Sequence, residues 1–136
     1  MKDPAKEIRV MVYNLIKVLG YSIYDHVPDG AEFPYVVLFQ FNLLPDEDIN
    51  ETFRTGLTVT VSCFTNFPNG VGNSDDVDMM SNNILEILIT KEFTDTTDNF
   101  SVDSVEFQSS DYTRENNESG FLIAKHTRIK YLLTEL

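Results

Sequence analysis

Cys63, His26 and His126 are the side chains best suited to chemistry here, since a thiolate can attack a carbonyl and an imidazole can move a proton or hold a metal. The two histidines lie far apart, and neither belongs to a His-x-x-x-His pair or an equivalent ligand spacing, so each reads as a surface or rim histidine. Cys63 could be paired with His126 as its base, but it alternates with Leu57, Val59 and Val61, and a cysteine on an apolar strand face is a small buried hydrophobe. The acids come in blocks: Asp46-Glu47-Asp48, Asp75-Asp76, and Glu115 with Glu118. Such blocks solvate loops and cap helices. A glycosidase-like pair would need one carboxyl held in an apolar pocket, and residues 46–48 lack the ligand spacing of a calcium loop. Gly70-Val71-Gly72 has no lysine and follows Pro68-Asn69 rather than a strand, so it is no phosphate loop. The residues predict no enzyme, no cofactor and no metal site.

The elements that must carry these residues fit one domain, spanning residues 1–136 and 15.6 kDa. The hydrophobic fraction of 42% is too high for a disordered tail. Lysine plus arginine is 10 against 22 acids, a net charge of −12, which speaks against a protein that binds nucleic acid by neutralising phosphates. It is compatible with a surface past which nucleic acid slides. One cysteine allows no internal disulfide, no signal peptide is recognisable, and no apolar run is long enough to span a bilayer. A soluble, intracellular protein with no membrane partner is expected.

Asp3 and Pro4 open a helix whose apolar stripe is Ala5, Ile8, Val12, Leu15 and Leu19, with Gly20 at its stop. Tyr21, Ile23 and Tyr24 form an extended segment ending in the turn Val27-Pro28-Asp29-Gly30. Residues 35–41 are apolar on both faces and read as an interior strand, broken by Pro45 and the acids after it. From Thr55, Leu57, Val59, Val61 and Cys63 alternate with Thr58, Thr60 and Ser62, a half-buried strand. Ser74 caps a second helix, with Asp75, Asp76 and Asp78 at its positive end, Val77, Met80, Ile84, Ile87 and Leu88 as its stripe, and Lys91 closing it. Residues 92–99 read as a connection. Strands follow around residues 100–107 and 121–133, and the polar stretch 108–119 between them reads as a hairpin tip or mobile loop. Helices standing apart from clustered strands predict an α+β fold. The expectation is a mostly antiparallel or mixed sheet of about four to five strands, with two amphipathic helices packed on one face.

The final strand gathers Lys125, His126, Arg128 and Lys130 in an otherwise acidic chain. With period two, His126, Arg128 and Lys130 share one face, and Phe121, Ile123, Ile129 and Tyr131 the other. Two readings stand: a solvated sheet face, or a positive stripe meeting the acids Asp46, Glu47 and Asp48 of a neighbouring copy. Phe33-Pro34-Tyr35 places two aromatics beside a rigid turn, either as a contact surface or as packing at a strand entry.

The stretch Ile23-Tyr24-Asp25-His26-Val27-Pro28-Asp29-Gly30, followed by Phe33-Pro34-Tyr35-Val36-Val37-Leu38, resembles the tail terminator (tail completion) proteins of long-tailed bacteriophages. The likeness continues as an order of elements: an alternating strand over residues 57–64, an amphipathic helix over 74–90 and a basic-flanked final strand over 122–133. The chain departs from that pattern at Phe64, where many relatives carry tryptophan, and in its asparagine- and glycine-rich stretch 65–72. The resemblance implies a closed ring, commonly a hexamer, at the head-proximal end of the tail tube in the neck of a virion, assembled in the host cytoplasm. It implies three partners: further copies of the chain, the tail tube protein and the head connector protein. DNA would pass through the ring without specific binding. A head-completion or connector protein of the same neck is the alternative, and a small hydrolase using Cys63 or an acidic pair is a third. The interface candidates are Phe33, Tyr35, Asp46, Glu47, Asp48, Lys125, Arg128 and Lys130.

Overall fold

The computed structural model describes residues 3–45, 54–68, 72–90, 99–117 and 120–136. Along the chain these form α1 (Ala5–Lys17), β1 (Ile23–Tyr24), β2 (Tyr35–Pro45), β3 (Arg54–Phe67), α2 (Asp75–Thr90), β4 (Phe100–Asn117) and β5 (Gly120–Glu135). The strands make one sheet in the order β1-β2-β3-β5-β4. β1 runs parallel to β2, and the other neighbours are antiparallel. The fold is a single α+β domain with a mixed sheet.

Strand parity decides which face becomes the core. Val36 and Leu38 of β2, Leu57, Val59, Val61 and Cys63 of β3, and Ile129, Tyr131 and Leu133 of β5 point to one side. There they meet Ile8, Val12 and Ile16 of α1 and Val77, Met80, Ile84 and Leu88 of α2. Both helices therefore lie on one face, as the alternating pattern of β3 predicts.

Three local readings shift. In α1 the deepest residue of the last turn is Ile16, with Leu15 and Leu19 only partly buried against the core. A stripe stepping by four from Ile8 and Val12 reaches position 16, and the helix turns that side to the sheet. Pro4 occupies the N-cap position rather than the first helical one, and Asp3 accepts a hydrogen bond from the Ala5 amide at 2.9 Å. In α2 the side chain of Ser74 bonds Asp78, while Asn73 accepts from the Asp75 amide at 3.0 Å.

The largest correction concerns residues 108–119. Rather than a loop, residues 108–117 continue β4, which pairs with β5 as far as Asn117 opposite Gly120. Register shifts at Asp103 and Gln108 absorb the mismatch between the strands. Polar residues form this strand because their cross-strand neighbours are polar as well: Asp111 with Arg128, and Thr113 with His126. At the far end, Gly120 has φ +128°, and a Cβ there would lie 2.0 Å from the Phe67 carbonyl oxygen, so only glycine fits.

β2 is interior only in part, since β1 covers it at Val36 and Val37 alone, while β3 pairs along its whole length. Gly20 has the left-handed φ expected at the end of the first helix, +88°. The acids Asp46, Glu47 and Asp48, the connection 92–98, and Gly70, Val71, Lys91 and Glu118 lie outside the described residues.

Candidate functional site

The sheet face turned away from the helices carries most of the described interface candidates. A row of rings crosses it at the end where β2 begins. Phe33, just ahead of β2, lies 4.8 Å from Tyr35 between ring centroids, and Tyr24 of β1 meets the same ring edge-on at 5.9 Å. Tyr35 stacks on Phe64 of β3 at 5.3 Å, because the β2–β3 register sets them directly opposite. Phe64 in turn meets the edge of His126 at 6.1 Å. Phe33 is 38% exposed, so the row is open at that end. Such ring pairs are each worth about 0.5–1.5 kcal/mol beyond the area they bury, which favours this arrangement of the surface.

Beyond the rings the face is polar. His126 is fixed at both nitrogens, Nδ1 to Ser62 Oγ at 2.6 Å and Nε2 to Thr113 Oγ1 at 3.0 Å. Burial pushes its pKa below the ordinary histidine value; Asp111 opposes the shift and Arg128 adds to it. Ser62 and His126 are not a catalytic dyad: Ser62 is fully buried, and Asp111, which would complete a triad, instead accepts a hydrogen bond from Arg128 Nη1 at 2.7 Å. Cys63 points the other way, into the core, and burial drives its thiol up to about 12 despite Lys125. A buried thiol in that state is no nucleophile. Among the described residues, no cluster of three or more His, Cys, Asp or Glu could hold a metal ion.

The expected positive stripe is divided by the structure. Lys125 faces the helix side, where its Nζ lies 3.0 Å from Asp78 of α2. Asp78 also accepts hydrogen bonds from Tyr112 Oη and Ser74 Oγ, and the Tyr112 and Lys125 contacts hold its carboxyl below the usual range. Burial lowers the Lys125 pKa, but Asp78 and Tyr112 outweigh it and leave it raised. Arg128 remains on the open face with its charge matched by Asp111, and Lys130 stands opposite Glu106. What is left is an aromatic row beside a charge-balanced band.

Ser62, Asp111, Thr113 and Asp78 were not singled out from the sequence as partners of these side chains. Alternation assigns each residue a face, but partners depend on cross-strand register, and two bulges in β4 move that register. On the helix side a second polar chain, Ser81 to Thr127 at 2.9 Å and Thr127 to Ser110 at 3.3 Å, joins α2 to the same hairpin.

No protein-family model matches the sequence, and no curated protein does. The fold is similar to that of a solved chain from the virion of a native gene transfer agent (GTA) particle. The TM-score is 0.64 at 15% identity, covering 90% of this chain and 91% of that one. At that identity the likeness is one of fold.

Proposed function

We propose that the protein is a structural component of a phage-like virion: a ring that caps the head-proximal end of the tail tube, stops tube polymerisation and joins tail to head. The observation that carries the reading is the near end-to-end fold likeness to a chain of a virion particle. The ring row and charge-balanced band on the sheet face support it, because they suit recognition. Of the side chains best suited to chemistry, Cys63 is buried in the core and His126 is bonded to its neighbours, while His26 stands exposed. A net charge of −12 suits a lumen through which DNA must slide without adhering. The chain would then act in the neck of the particle, after assembly in the host cytoplasm.

A head-completion or connector protein of the same neck would share these features and bind the portal side instead. Immobilised protein challenged separately with tail tube protein and with head connector protein tells the two apart. The terminator reading expects retention of tube protein and arrest of tube growth. Retention of connector alone, with tube growth unaffected, would contradict it and favour the alternative.

A further inference from the structure

The two helices turn opposite charges to solvent. α1 carries Lys6, Arg9 and Lys17 against Glu7 alone, and Glu7 accepts hydrogen bonds from Asn99. α2 carries Asp75, Asp76, Asp78 and Glu86 and no cation. Lys6, Arg9, Asp75 and Asp76 are all exposed, and none makes an ion pair among the described residues. Each helix also presents an apolar side chain to water, Val10 at 49% exposure on α1 and Met79 at 64% on α2. Met79 stands one helical turn from both Asp75 and Asp76, so the three form a single apolar-and-acidic knob.

A matching recess lies beside α1. Arg9, Val10 and Tyr13 of α1, with Tyr24, Asp25 and Leu38 from the β1–β2 edge, line a groove of about 250 Å³. Its walls are apolar and aromatic, with Arg9 as the cation. The knob and the groove sit toward opposite sides of the subunit: α1 packs on β1 and β2 at one edge of the sheet, while the first turns of α2 reach Tyr112 of β4 at the other. Unlike surfaces on opposite sides are what a head-to-tail contact that closes into a ring requires.

We propose that the N-terminal turn of α2 of one copy docks in the α1–β1 groove of the next, with Met79 entering the groove and Asp75 and Asp76 facing Lys6 and Arg9. This rests on the ring reading and supplies its subunit contact. Asp25, on the β1 side of the groove, repels the incoming acids and confines them to the α1 side, so charge sets the register of the contact.

The test is a charge swap, read as ring formation on purified tail tubes by electron microscopy and by subunit number after cross-linking. Arg9→Glu and Asp76→Arg should each reduce ring formation by about tenfold or more, since like charges then meet. Both substitutions in one chain should restore it, because each groove then meets its complement. Met79→Asp should abolish assembly by carrying a charge into an apolar recess. All three positions are exposed, so each variant should still unfold cooperatively, with Asp76→Arg only slightly less stable because it exchanges an acid for a cation at the positive end of α2. Single variants that form rings normally, or a double variant that recovers nothing, would overturn this contact while leaving the ring intact. Failure of the natural sequence to form rings on tubes would remove the ring reading and the contact together.

Discussion

His126 is bonded to Ser62 and Thr113 in a partly buried position, and burial holds its folded pKa below the ordinary histidine value. The unfolded chain therefore binds this proton more readily than the folded one. The stabilisation is complete above the unfolded value and disappears as pH falls through the folded one. Urea unfolding of the natural sequence should lose stability on acidification through that window, and His126→Gln should lose less; identical slopes would refute the assignment. Cys63 gives a second prediction at this scale. With a buried thiol raised to about 12, labelling by an alkylating reagent at neutral pH should proceed only at the rate of unfolding, and fast labelling of the folded protein would contradict its placement. The core position of Cys63 was legible from its alternation with Leu57, Val59 and Val61. The Ser62–His126 bond was not, because sequence alternation says which face a side chain takes but not which strand lies beside it.

The elements were legible in proportion to their apolar periodicity. Both helices, the β3 alternation and the α+β class follow from spacing alone, since burying one stripe or one face leaves few arrangements. Leu15 and Ile16 show the limit: both continue the stripe from Val12, and only packing against the sheet selects Ile16. Accordingly, Ile16→Ala should cost roughly 2–5 kcal/mol of unfolding free energy through the cavity it leaves, and Leu15→Ala clearly less. Equal losses in denaturant titrations would mean the helix is rotated from the position described. The outer half of β4 was illegible for a different reason. Its residues are polar and exposed, so nothing in their hydropathy distinguishes a strand from a loop. Pairing with β5, anchored by Arg128 and His126, makes it a strand.

At the scale of the whole molecule, the sequence suggested a basic strand facing acidic loops. The structure leaves Arg128 and Lys130 on the open face, with Arg128 already bonded to Asp111, and turns Lys125 inward to Asp78. Arg128→Glu combined with Lys130→Glu should still give a folded monomer, because the core lies on the other face. The outer half of β4 should be loosened, where the Arg128–Asp111 bond is lost and like charges meet Asp111 and Glu106. If that face meets the tube or a neighbouring copy, assembly on tails should fail and tail length should become uncontrolled; normal capping would show the band to be a wetted surface only. The proposed function depends on where the chain resides in a finished particle. Cryo-electron microscopy of purified particles tests this most directly. It should show a closed ring of this fold at the head-proximal end of the tail tube, helices and sheet placed as described. Complete, infectious particles with no copy of the chain at that position would contradict the account.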